Sequence, residues 1–170
     1  VCRRRGTEVT LVSGKTNLEA PYDVTLVPVT SAQDMFEAVS SRAKEQDLII
    51  KAAAVADYRP VTVAENKIKK SPGDMSIALE RTTDILAWLG EHRQEGQVLC
   101  GFAMETSQLE ERARGKLERK NLDLIAANNL KVAGAGFGTD TNVITLIDKQ
   151  QTRHLEQMSK EDLQKMLENL

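Results

Sequence analysis

Apolar and polar positions follow two rhythms along this chain. TEVTLVS (7–13) and YDVTLVPV (22–29) are short β-branched and apolar runs, and each predicts a strand. From Ser31 the spacing changes: Met35, Ala38 and Val39 share one face, which predicts a helix over 31–45. Ser31 followed by Asp34 resembles a capping box built with the shorter acid. DLIIKAAAVAD (47–57) is almost continuously apolar, as suits a strand covered on both faces.

Residues 58–74 then turn polar, with Pro60, Pro72 and Gly73, and predict a loop or flap. MSIALER (75–81) predicts a short strand. Thr82 or Thr83 is placed to cap a helix over DILAWLGEHRQ, where Ile85, Leu86 and Leu89 form an apolar stripe. QVLCGFAME (97–105) predicts another strand, and Thr106 or Ser107 the cap of a helix running to about Asn121. LDLIAANN (122–129) is again a strand, and 131–142 a glycine-rich loop. VITLID (143–148) and QQTRHLEQM (150–158) predict a hairpin turning near Asp148 and Lys149. Ser159 caps a final helix with Leu163, Met166, Leu167 and Leu170 on its apolar side. At the other end, VCRRRG reads as the last turn of a helix closed by Gly6, so the chain starts inside an element. Alternating strands and helices predict a single α/β domain over 1–170 with a largely parallel sheet.

Composition narrows the function classes. Of 170 residues, 41% are hydrophobic and 28% charged, with a net charge of −2, so no global field attracts nucleic acid or an acidic membrane. No apolar run approaches the roughly 20 residues that span a bilayer. Cys2 and Cys100 read as reduced thiols of a cytoplasmic protein without a signal peptide. His92 and His154 form no cluster that would hold zinc.

In an open α/β sheet, ligands bind beyond the carboxyl ends of the strands. Asp57 ends one strand, Phe102, Glu105 and Thr106 follow another, and Asn128 and Asn129 end a third. Lys116 and Lys120 lie one helical turn apart, and Lys67 opens the basic run Lys67-Ile68-Lys69-Lys70. These lysines with Asp57 are what a triphosphate and its divalent cation require. The same residues also describe a solvated helix face, a turn carboxylate and a lysine-protected edge strand. No P-loop or kinase signature is present, and the 131–142 glycines are not followed by a helix, so the dinucleotide fingerprint fails.

AAAVADYRP, NKIKK, TTDILA, GFAMET, KLERKNLDLIAANN and GFGTDTN occur in order over nearly the whole chain. Together they closely resemble the phosphopantothenoylcysteine synthetase domain of bacterial coenzyme A biosynthesis. The resemblance implies a Rossmann-like fold with a flap over about 58–80 and a C-terminal hairpin. It implies that CTP with Mg²⁺ activates 4′-phosphopantothenate as an acyl-cytidylate, which the amine of cysteine then attacks. Carried over, Lys51, Ala52 and Ala53 line the nucleotide pocket, and Asp57 lies beside the triphosphate and its metal. Lys67 reaches the phosphates from the flap and supports catalysis. Thr83, Asp84, Ile85 and Leu86 lie near base and ribose, with Thr83 where the family often has proline. Phe102 lies at the nucleotide, and Lys116 and Lys120 at the phosphates. The resemblance further implies a homodimer in which the flap takes part, covering Val61, Val63 and Ile68. It also implies fusion to a decarboxylase half, with FMN belonging to that half alone. A strand, a glycine-containing loop and an asparagine-bearing segment are expected ahead of the helix that ends at Gly6.

Two other readings compete. A Rossmann-type oxidoreductase needs a glycine fingerprint after its first strand, which LVSGKTN (11–17) lacks. A non-catalytic assembly module predicts no nucleotide selectivity.

Overall fold

The computed structural model describes residues 2–70, 72–105, 107–129, 141–159 and 162. The chain opens with a 3-10 turn, Cys2–Arg5. Gly6 closes it at φ 87°, a conformation glycine adopts without strain, and Thr7 N–H reaches back to the Cys2 carbonyl at 3.3 Å. Strands β1 (Thr10–Ser13) and β2 (Thr25–Pro28) pair in parallel as a two-stranded sheet. Helix α1 (Ala32–Ser40) begins at the expected capping box: Ser31 Oγ accepts from Asp34 N–H, and Asp34 Oδ2 accepts from Ser31 N–H. It stops earlier than the pattern predicts, and a separate 3-10 turn, Ala43–Glu45, carries the chain into β3 (Leu48–Lys51).

Beyond β3 the chain departs from the predicted long strand. Ala52, Ala53 and Ala54 form no ladder and are exposed. Strand β4 (Tyr58–Pro60), expected inside a loop, pairs antiparallel with β5 (Leu79–Arg81), so the base of the flap is a two-stranded neck. Helix α2 (Ile85–His92) follows, then β6 (Val98–Glu105), α3 (Leu109–Arg119) and β7 (Leu124–Asn129). The chain ends its described course in β8 (Thr141–Asn142), β9 (Ile144–Asp148), β10 (Thr152–His154) and β11 (Met158–Ser159).

The central sheet has five strands in the order β10-β9-β7-β6-β3. β3, β6 and β7 run parallel, and β9 and β10 close the far edge antiparallel. Asp148 makes the predicted hairpin turn, its Oδ1 accepting from the N–H groups of Gln150 and Gln151 at 2.7 and 2.8 Å. The 131–140 part of the glycine-rich loop and the body of the final helix lie outside the described residues. The cap of that helix is present, with Asp162 N–H donating to Ser159 Oγ at 3.1 Å.

Two layers of core hold this sheet. On one face Leu99, Ala103 and Ile125 meet Ile85, Leu86 and Leu89 of α2 and Ala113 and Leu117 of α3. On the other, Ala126, Ile144 and Leu146 pack with Phe102, Leu124 and Leu155. Each fully buried leucine or isoleucine contributes about 1.5–3 kcal/mol. The expectation that the third strand is covered on both faces is corrected: Leu48 and Ile50 are exposed. β3 is an edge of the five-stranded sheet, and a mainly apolar cleft of about 440 Å³ separates it from β1. Among the described residues, no helix is long and apolar enough to cross a membrane.

Candidate functional site

The carboxyl ends of β3 and β6, the neck of the flap and the start of α2 converge on a second, polar cavity of about 190 Å³. Lys51, Asp57, Thr83, Asp84, Ile85, Leu86, Phe102, Lys116 and Lys120 all line it. Three of the expected site residues do not. Ala52 and Ala53 line the larger apolar cleft instead, and Lys67 is exposed on the flap. The reason lies in the local backbone. Beyond β3 the alanines form no ladder that would turn them to the sheet end, and Lys67 lies on the flap between β4 and β5, outside either strand.

Each polar group at the cavity is held by a traceable contact. Lys116 Nζ lies 2.7 Å from Glu105 Oε1, and Arg112 Nη1 lies 3.6 Å from the other carboxylate oxygen. Glu105 is itself buried, and an isolated charge there would be costly, so the two cations from α3 accompany it. Lys120 Nζ lies 2.7 Å from Asp84 Oδ2. Asp84, rather than Thr82 or Thr83, is the N-cap of α2, accepting from Ala87 N–H at 3.0 Å. Thr82 is unavailable because its side chain and its N–H are tied to the neck, bonding the carbonyls of Ala56 and Asp57 at 2.6 and 3.0 Å. The cap at α3 also differs from expectation. Gln108, in a left-handed conformation at φ 49°, precedes the helix without a side-chain cap; Ser107 does not cap it, and Thr106 lies outside the described residues.

Packing fixes the lysines' backbone. A Cβ added at Gly90 would lie 1.9 Å from the Lys120 carbonyl oxygen, so α2 meets the end of α3 where no side chain fits. Asn121 seals that contact by donating to the Gly90 carbonyl at 3.0 Å. At the start of β6, Asp123 Oδ2 accepts from Arg93 at 2.7 Å and from Leu99 N–H at 2.8 Å.

The electrostatics follow this geometry. Burial and the neighbouring Lys120 charge lower the pKa of Lys51, with Asp84 and Asp57 partly offsetting them. Burial alone would raise the pKa of Asp84, but hydrogen bonds from Lys120 and Ala87 outweigh it and hold the carboxyl below its ordinary value. Four cations, Lys51, Arg81, Lys116 and Lys120, line the cavity against two carboxylates, Asp57 and Asp84. The start of α2 adds the positive end of the helix dipole. Such a set of charges is suited to an anion bearing several charges.

A divalent cation fits the donor set in one mode only. Among the described residues, no group of three or more candidate ligands converges. The Asp57 carboxylate makes no ion pair or hydrogen bond among the described residues and faces the cavity. One free carboxylate beside an anionic ligand is the arrangement for Mg²⁺ shared with phosphate oxygens. Thiol chemistry is disfavoured at Cys100, because burial, with Asp123 adding to it, pushes its pKa up to about 12.

The model of the DNA/pantothenate metabolism flavoprotein C-terminal domain matches residues 1–170. The chain belongs to that family. It is 50% identical over 160 residues to the coenzyme A biosynthesis bifunctional protein CoaBC of Bacillus subtilis (strain 168), covering 93% of this chain and 39% of that protein. It is also 48% identical over 145 residues to a prokaryotic protein named cysteine/cysteine sulfinic acid decarboxylase, covering 85% of this chain and 40% of that one. The chain thus spans about two fifths of the curated relatives it matches. Among solved structures, the C-terminal domain of a CoaBC protein superposes with a TM-score of 0.79 at 44% identity, covering 99% of this chain and 77% of that one. The family fold is the mixed α/β architecture described above, with its parallel-rich sheet flanked by helices.

Sequence reasoning missed Arg81 at the cavity, and did not pair Glu105 with Lys116. Their signal was weak. Arg81 lies inside a stretch that reads only as a short strand, and the Glu105–Lys116 pair spans two elements.

Proposed function

We propose that this domain is the synthetase part of a phosphopantothenate–cysteine ligase in coenzyme A biosynthesis, using CTP with Mg²⁺. The observation that carries the reading is the convergence of Lys51, Asp57, Asp84, Phe102, Lys116 and Lys120 on one cationic cavity. Kinship with CoaBC proteins supports it. The cavity is small beside the roughly 300–1,000 Å³ of typical ligand pockets, which suits a polyphosphate held inside and a nucleoside extending outward.

In this reading a carboxylate oxygen of phosphopantothenate attacks the α-phosphorus of CTP, and pyrophosphate leaves. The cysteine amine then attacks the acyl carbon, an amide forms, and CMP leaves with loss of a proton from nitrogen. Lys51, Lys116 and Lys120 offset phosphate charge, and Asp57 would hold Mg²⁺ against it. Lys67 acts from the flap, so the flap folds toward the cavity during turnover. Val61, Val63 and Ile68 are exposed on that flap, which favours a homodimer that covers them. In the complete protein, a decarboxylase half with FMN would supply the neighbouring reaction of the same pathway, in the cytoplasm.

The test is calorimetric titration of the full-length protein with CTP and with ATP, each with Mg²⁺, followed by assays of product release. CTP is expected to bind more tightly, pyrophosphate release to require phosphopantothenate, and CMP release to require cysteine. Equal binding of both nucleotides with no phosphopantothenate-dependent pyrophosphate would sink the reading and favour an assembly module.

A further inference from the structure

Arg81 ends β5, directly opposite Tyr58 in the neck of the flap, and its guanidinium lies over the Tyr58 ring, 5.4 Å from the centroid. It also lines the polar cavity. The other cations there already have partners in the chain. Lys116 is held by Glu105, Lys120 by Asp84, and Lys51 donates to the Ala53 carbonyl at 2.5 Å. Among the described residues, Arg81 makes no ion pair. The carboxylate beside it, Glu80, is taken by Arg59 at 2.8 Å.

The ring contact matters because of where guanidinium donors point. They lie in the plane of the group, whereas an aromatic ring engages its face. The Tyr58 ring restricts the side chain, and among the described residues no hydrogen bond or ion pair occupies its donors. A planar cation with in-plane donors free is suited to two oxygens of one phosphate, which a lysine ammonium contacts only as a point charge. The neck itself is secured by the β4–β5 ladder and by Thr82 on the Ala56 carbonyl, so Arg81 has a fixed base at the hinge of the flap.

We infer that Arg81 is a phosphate-contacting residue of this cavity, preset on the Tyr58 ring at the root of the flap. The inference rests on the polyphosphate reading of the cavity and adds to it a specific donor. Its ligand class is an inorganic or nucleoside polyphosphate.

The experiment measures binding of CTP, cytidine and inorganic tripolyphosphate, with Mg²⁺, to the full-length protein and to its R81Q, R81K and Y58L variants, each checked for folding by circular dichroism. Loss of a charge-assisted contact predicts CTP and tripolyphosphate binding weaker by about 10- to 100-fold in R81Q. Cytidine binding should change less than about twofold, because only the phosphate contact is removed. R81K should recover part of the loss, and Y58L should weaken tripolyphosphate binding by about two- to fivefold through lost presetting. A folded R81Q protein that binds CTP and tripolyphosphate as the unaltered protein does would overturn the Arg81 assignment while leaving the nucleotide reading intact. Equal losses for CTP and cytidine would overturn it too, since shape rather than charge would then be responsible. An unaltered protein that binds neither CTP nor tripolyphosphate would overturn the polyphosphate reading and this inference with it.

Discussion

Ile85, Leu86, Leu117 and Ile125, on the elements behind the polar cavity, are 2%, 6%, 1% and 1% exposed, whereas Val63, Ile68, Met75 and Ile77 of the flap are 80%, 63%, 63% and 61% exposed. The cavity wall is part of the hydrophobic core, so its charged groups sit on backbone that burial has already fixed. The flap leaves that core after Asp57 and returns at Thr82, and among the described residues its hydrogen bonds to the body are at its neck. A preorganised wall suits groups that must oppose phosphate charge without reorganising. A flap with few core contacts can change position at low cost, which suits a residue needed only once substrate is bound.

The sharpest way to break this comparison is to hollow out the wall. Leu117→Ala removes a side chain buried between α3 and the sheet, and should lower unfolding stability by about 2–5 kcal/mol in urea titration. A loss under about 1 kcal/mol would mean that the wall is not the stable region.

A smaller effect is expected at the rim of the wall, where charge rather than packing is changed. Asp84 has a lowered pKa in the folded protein, so its carboxylate stabilises the fold fully above its ordinary pKa near 3.8. That contribution is lost as pH falls through the lowered value. Asn at position 84 keeps the cap but cannot ionise. Asp84→Asn should therefore flatten part of the acid limb of stability against pH and cost roughly 0.5 kcal/mol at neutral pH, since the pair with Lys120 is half exposed. An unchanged acid limb would show that the ion pair is not formed in solution.

On the flap the order of effects reverses. Lys67→Gln should leave stability within about 0.5 kcal/mol, yet reduce turnover on the order of 100-fold if Lys67 opposes charge in the transition state. Unfolding curves and steady-state rates on the same preparation decide it. Normal turnover would remove Lys67 from the mechanism and leave the flap without a chemical role.

The features that the chain determined by itself are local. The Ser31–Asp34 capping box, the Gly6 turn, the Asp148 hairpin turn and the Ser159 cap each join residues within a few positions, and the hydrogen-bonding groups involved announce themselves in order. The parallel-rich sheet was legible for a similar reason, because apolar runs such as 98–103 and 124–127 recur between amphipathic helices. What only the tertiary structure decided joins distant residues. Thr82 bonds the Ala56 carbonyl, which left Asp84 to cap α2; only one face of β3, that of Ile49, met the core, while Leu48 and Ile50 stayed exposed; and Glu105, buried at the end of β6, drew Lys116 to the cavity. Arg81 became a cavity residue because β5 pairs with β4 across the flap. Side-chain hydrogen bonds and ion pairs have no fixed sequence spacing once they cross between elements, so their choice of partner follows from which strands and helices burial brings together.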